Sequence, residues 1–381
     1  MKYFKTKIIK NSTICYFIIV VLFSVLRILS SANLFNSLGS ASKYILNAFI
    51  QIGFLFSVSV FLFSALQKEK PKNVLKFYGF KKMSWKAVFY SIIIGIIVYI
   101  LNIFVASFFN LILESLGYNF TTSQSMTSYP FWLFIVNLNV TAVLPGICEE
   151  TAHRGMLLKS FSTLGAKKAI IITGLLFGLL HLNIEQFFYA TIIGFFLGYI
   201  TIISDNIYPA IIVHFLNNGI GVLMSYSSFH GVNLGVMFSW IDYNLINNTF
   251  VGLVFVIALI VLLLFALNAL VKALFKETSL KSVTKLNQVI FNQFLRDSYF
   301  KDIAKIQDGN SGNLAEFMPF DEFDNMYHQT NYFLGNSSTI DMKLMQDNTK
   351  TSMDTTTKIL LIATFVLTIS VTILTFILGV I

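Results

Sequence analysis

Nine long apolar runs dominate this sequence and decide what it can fold into. They lie near residues 13–29, 44–66, 87–113, 131–161, 168–184, 187–203, 208–226, 249–271 and 358–380. Each is about the length a helix needs to cross ~30 Å of hydrocarbon. Backbone N–H and C=O groups find no partners in lipid, so only helices or closed barrels span a bilayer, and these runs are too long for barrel strands. Composition agrees: 56% of the residues are hydrophobic and only 12% are charged, about half the charged share of a soluble domain. The expected fold is an all-α, polytopic transmembrane helix bundle of about eight or nine spans. A cytosolic enzyme, a disordered chain and a fibrous repeat are excluded.

The net charge of +9 does not mark a nucleic-acid binder, because of where the charge sits. Residues 1–271 carry 17 Lys and Arg against 7 Asp and Glu, mostly in short loops between apolar runs. The N-terminus has Lys2, Lys5, Lys7 and Lys10. The stretch 67–86 has seven lysines, and the turn near 154–168 has Arg154, Lys159, Lys167 and Lys168. The alternate loops 114–130 and 227–247 have none. This is the positive-inside pattern of an integral, multi-pass cell-membrane protein with a cytoplasmic N-terminus and nine crossings. The first run is long and lacks a small-x-small cleavage site, so it reads as a span rather than a cleaved signal. Cys15 and Cys148 are too far apart in sequence, and too few, for a disulfide framework or a CxxC metal pair.

Four regions follow. Residues 1–86 hold the N-terminal helices and a basic loop, 87–273 the core, 274–356 a polar insertion on the cytoplasmic side, and 357–381 a last span. Within the insertion, Val283, Leu286, Ile290, Phe294 and Phe300 have helical spacing.

Of the seven acidic residues before the insertion, only Glu149 and Glu150 fall inside a span. An ionisable group in the bilayer costs several kcal/mol, roughly, and is a functional hypothesis by default. Arg154 follows Glu150 by one helical turn and shares its face. That spacing predicts an ion pair, Glu150–Arg154, beside a carboxylate, Glu149, left free to act as a general base on water. Two further spans carry polar groups: Phe177-Gly-Leu-Leu-His181, and His214-Phe-Leu-Asn-Asn218. His214 and Asn218 share a face, with Asn217 close to it. Glu149 and His181 each stand 16 residues from Gly165 in the intervening turn, so a regular hairpin brings both to one depth, about 24 Å from it. His214 is only five residues past Pro209, so reaching that depth requires the segment 204–208 to dip inward or the helices to tilt. Pro145 and Gly146 predict a kink in the fourth span.

Glu149-Glu150-Thr-Ala-His-Arg154-Gly155 resembles the EExxxRG box of the CAAX protease and bacteriocin-processing family of membrane proteins (CPBP, or Abi). This family includes type II CAAX prenyl endopeptidases and lysostaphin-resistance-A-like proteins. Phe177 to His181 is similar to its FxxxH box and His214 to Asn218 to its HxxxN box, in the same order. The resemblance implies an intramembrane endopeptidase acting on membrane-associated peptides or proteins. It implies that Glu149 and His181 activate a water while His214 and Asn218 stabilise the oxyanion. It also implies a choice between a glutamate-dependent and a metal-dependent site. Glu149, His181 and His214 could hold Zn2+ with an open position, and no HExxH motif decides between zinc and no cofactor. The expected partners are membrane lipid and a peptide or protein substrate. The alternative is a non-catalytic bacteriocin-immunity or scaffold protein on the same fold. His153 stands where the family commonly has an aromatic residue, and either tunes Glu149 or faces the cytoplasmic interface. Cys148 reads as a buried small hydrophobe.

Overall fold

The computed structural model describes residues 2–31, 40–120, 128–232, 234, 250, 252–278 and 353–380. Among them there are helices and no strands. The chain begins with α1, Lys2–Ser31, and α2, Tyr44–Gln67. The short α3, Pro71–Phe77, follows in the basic loop. The core holds α4, Trp85–Ser115; α5, Phe131–Leu164; α6, Ala166–Leu180; α7, Ile184–Ser204; and α8, Tyr208–Phe229. Then come α9, Gly252–Thr278, and α10, Thr355–Val380. Eight of these described helices are long and apolar enough to cross a membrane; α6 is not among them. Contacts group Met1–Leu274 with Asn348–Ile381 as one compact unit and Phe275–Asp347 as another. The spacing noted over 283–305, and most of the polar insertion, lie outside the described residues.

The fifth apolar run ends earlier than 184. Its helix, α6, has 15 residues, about 22 Å of rise. Leu182 then takes a left-handed φ of 49°, and the Asn183 side chain caps α7 by accepting from the N–H of Glu185 at 3.0 Å. His181 is therefore the first residue after a short helix, and α6 still runs from one face of the bundle to the other.

Contacts between helix ends establish this. On one face, Lys10 pairs with Asp354 at 3.9 Å and Asn11 donates to the carbonyl of Leu66 at 3.1 Å. There too, Asp205 accepts from Lys159 at 2.6 Å and from Lys81. On the other face, Tyr118 donates to Glu185 at 2.9 Å, and the N–H of Ile184 donates to the hydroxyl of Thr375 at 3.0 Å. The turn between α7 and α8 is covered by the basic loop. Asn206 and Ile207 are buried, because the N–H of Ile207 donates to the carbonyl of Gly79 and the Asn206 amide donates to the carbonyl of Lys81.

Helix packing relies on small and hydroxylated residues, as expected where lipid competes with apolar contacts. Thr364, Thr368 and Thr372 form a buried stripe on α10, each hydroxyl donating to a carbonyl one turn back in its own helix. The helices α6 and α7 carry Gly174-x-x-x-Gly178 and Gly194-x-x-x-Gly198 and pack more extensively than any other described pair. A Cβ at Gly178 would lie 2.0 Å from the Thr191 hydroxyl and 2.7 Å from the backbone oxygen of Phe187. These backbones are close because nothing larger than hydrogen stands between them.

Candidate active site

The site starts from an irregular helix. Within α5, residues Asn139–Val143 and Thr151–Leu158 wind as wide, π-helical turns on either side of Leu144–Glu150. Such turns recur at functional positions. Pro145 sits just after the first of them and has no N–H to give to the carbonyl four residues back, that of Thr141. That carbonyl instead accepts from Nδ2 of Asn218 on α8, at 3.1 Å. The proline expected to kink the span thus provides an anchor for the asparagine of the third motif.

Glu150 and Arg154 form the expected pair, with Nη1 donating to Oε1 at 2.9 Å. Arg154 is fully buried at 0% exposure. Its Nη2 donates to the carbonyl of Gly194 at 3.1 Å, and its Cζ lies 4.3 Å from the centre of the Phe177 ring. The pair is not separate from the rest of the site. Oε1 of Glu150 also accepts from Nδ1 of His214 at 2.8 Å. With Nδ1 turned to Glu150, the His214 ring presents Nε2 to Nδ2 of Asn218, 3.2 Å away. The same Nε2 lies 3.9 Å from Oε2 of Glu149. Glu150 therefore fixes the orientation of His214, a role the spacing to Arg154 alone did not reveal.

Glu149 is buried, and its Oε1 accepts from Nε2 of Gln51 at 2.8 Å. His181 stands edge-on to Phe177, ring centres 5.5 Å apart, and within electrostatic reach of Glu149 and His214. Phe177 is equally close to His214, also edge-on at 5.5 Å. Glu149, His214 and Asn218 are thus neighbours, and the Phe177 ring lies between His214 and His181.

Sequence reasoning missed Gln51, Tyr16 and Asn102. A relay of amides crosses the bundle, Asn102 donating to Asn217 at 3.3 Å, Asn217 to Asn218 at 3.2 Å, and Asn218 to Thr141. It determines which end of each amide is nitrogen. His153 faces neither the interface nor lipid; it is fully buried. Its Nδ1 donates to the carbonyl of Glu149 at 2.9 Å, and its Nε2 lies 3.0 Å from the hydroxyl of Tyr16, which donates to the carbonyl of Leu176. Cys148 is buried and carries no disulfide.

Zinc needs three or four ligand atoms at about 2.0–2.3 Å. Among the described residues no three His, Cys, Asp or Glu side chains are grouped to hold a metal ion. Nδ1 of His214 faces Glu150, so Nε2 is the one ring nitrogen it could offer a metal. As arranged, Glu149, His181 and His214 do not fit a zinc ion.

Residues 129–220 match the family model described as type II CAAX prenyl endopeptidase Rce1-like. No curated protein and no solved structure matches the chain. The matched stretch runs from the start of α5 into α8 and carries all three motifs, and it is through this helical core that the chain is similar to the CAAX protease (CPBP) family of membrane proteins.

Proposed function

We propose that the chain is an intramembrane endopeptidase in which Glu149 activates water against a peptide bond of a membrane-associated peptide or protein. The observation that carries this reading is the division of labour between adjacent carboxylates. Oε1 of Glu150 accepts from both Arg154 and His214, while the side-chain hydrogen bond to Glu149 among the described residues comes from a neutral amide, with His214 Nε2 further off at 3.9 Å.

The chemistry runs on these side chains. Water between Oε2 of Glu149 and His181 gives its proton to Glu149, and the hydroxide adds to the scissile carbonyl carbon. The developing oxyanion needs donors already in place. Uptake of a proton from solvent at Nε2 of His214, given back to solvent after the intermediate collapses, would turn that atom from acceptor to donor, with Glu150 stabilising the cation. It would also release the Asn218 N–H that faces Nε2, so both groups then donate to the oxyanion. Collapse of the tetrahedral intermediate breaks the C–N bond, and the proton on Glu149 passes to the leaving amine. Glu149, rather than zinc, is assigned the activation of water because the three side chains do not gather as metal ligands. By the lysine distribution, the face bearing Lys10, Lys81 and Lys159 is cytoplasmic.

The test is Glu149→Gln, which keeps the shape and the Gln51 contact but removes the base. Purified protein in lipid vesicles is assayed with internally quenched peptides, one bearing a farnesylated C-terminal CAAX cysteine and others unprenylated. Cleavage should fall at least about a hundredfold, with unfolding temperature preserved. Equal cleavage by wild type and variant would remove Glu149 as the base, and no cleavage by the wild type would remove the proposal in favour of a binding or immunity role.

A further inference from the structure

The residue that holds Glu149 lies outside the matched segment. Gln51 belongs to α2, in the π-helical turn Ile50–Phe56, and is 8% exposed. One end of its amide is engaged, Nε2 donating to Glu149 at 2.8 Å. The other end is not: Oε1 is buried and has no hydrogen-bond partner among the described residues. A buried carbonyl oxygen without a donor is costly and calls for an explanation. Both atoms are bonded to one carbon, so the oxygen is fixed beside the Glu149 carboxylate.

The chemistry of the surroundings narrows what the oxygen is for. The donors Asn218, Arg154 and His214 are already engaged with the Thr141 carbonyl and with Glu150, and the site's charged acceptors are carboxylates. An extended peptide brings backbone N–H groups as well as carbonyls, and each N–H needs an acceptor once it leaves water. Gln51 Oε1 is a neutral acceptor that can meet one without competing for the proton Glu149 must carry.

We propose that Gln51 is a substrate-positioning residue: through Nε2 it sets the Glu149 carboxylate, and through Oε1 it receives a backbone N–H of the peptide next to the scissile bond. The inference rests on the endopeptidase reading and extends the working site to the second helix of the chain.

The experiment compares wild type and Gln51→Leu on a cleaved peptide and on depsipeptides in which one backbone N–H at a time is replaced by an ester oxygen. Wild type should cleave one of these replacements about tenfold less well than the amide parent, the effect of losing one hydrogen bond. Gln51→Leu should lose that preference at the same position, with KM raised and kcat lowered. The preference is a ratio within each protein, so it does not depend on the fraction folded. Gln51→Glu, which keeps an acceptor but loses the donor, should retain the preference with reduced kcat. Equal preferences in wild type and Gln51→Leu at every position, alongside an inactive Glu149→Gln, would overturn the inference and leave the endopeptidase reading standing. Failure of the wild type to cleave any peptide of the panel would overturn both.

Discussion

Replacing Pro145 by Ala should separate stability from activity. A proline inside a helix costs about 3 kcal/mol relative to alanine. Here part of that cost is already offset, because the freed carbonyl of Thr141 accepts from Asn218 at 3.1 Å. Alanine supplies the missing N–H, so that carbonyl can return to its own helix, and about 1 kcal/mol of hydrogen bonding to Asn218 is lost. The unfolded chain also gains freedom, worth roughly 0.4–1 kcal/mol against the variant. The balance favours Pro145→Ala by about 1–2 kcal/mol, visible as a higher unfolding temperature in detergent or vesicles. Activity should move the other way. Asn218 loses its anchor, and with it the fixed partner of Nε2 of His214, so kcat on a cleaved peptide should fall about tenfold, a change of ~1.4 kcal/mol in the barrier. Asn218→Ala should lower kcat at least as far without the stabilisation. If Pro145→Ala keeps full activity while Asn218→Ala loses it, the proline does not set the asparagine and the reasoning is refuted.

Two other outcomes can be stated. Gly178→Ala should destabilise the chain by about 1–3 kcal/mol, because its Cβ would meet both a hydroxyl and a backbone carbonyl of α7; adding Thr191→Ala should restore only part of the loss in a thermal unfolding assay, since the carbonyl of Phe187 remains. At the basic face, desolvation pushes the Asp205 pKa up, but Lys159 and Lys81 more than offset this and hold it below the ordinary carboxylate value. A depressed native pKa adds stability that is complete above the unfolded value near 3.9 and vanishes as pH falls through the native one. With 65% of the side chain exposed, that contribution is under about 1 kcal/mol per pair. Asp205→Asn should therefore lower the unfolding temperature slightly at pH 7, and by less and less as pH falls through the depressed native pKa; an effect that does not change with pH would refute the ionic origin.

What the sequence disclosed about this site tracks how unusual each residue is in its surroundings. Two carboxylates and a guanidinium in an apolar run stand out, and helical spacing correctly pairs Glu150 with Arg154. Counting from Gly165 predicts one depth for Glu149 and His181, on two helices joined by that turn. Gln51, Tyr16 and Asn102 carry no such signal. Neutral polar residues are common in membrane helices, and their roles here come from contacts with helices far away in sequence. The hydrogen bond from His214 to Glu150 was hidden for the same reason. Spacing within α5 says nothing about α8. The length of α6 was misread because hydropathy continues past Leu180, while the chain turns at Leu182 through a local left-handed conformation that hydropathy does not encode.

The remaining question is how one apolar residue came to mark a motif of polar chemistry. Phe177 is buried, and its ring is approached by four basic side chains: Arg154 at 4.3 Å, His153 at 5.0 Å, and His181 and His214 at 5.5 Å each. The three imidazoles meet it edge-on, and the guanidinium lies over the ring, where its negative face attracts a cation. An aliphatic side chain would fill the space without that attraction. The ring is placed in turn by close packing of α6 on α7. A Cβ on Gly194 would come within 3.2 Å of Phe177 and 2.9 Å of the backbone oxygen of Gly174. The carbonyl of the same Gly194 accepts from Arg154. Glycine there lets the backbone approach closely enough to reach the guanidinium while leaving room for the ring. The small residues that hold α6 and α7 together thus also determine where Phe177 lies, and Phe177 fixes the common wall against which the buried bases and the arginine are arranged.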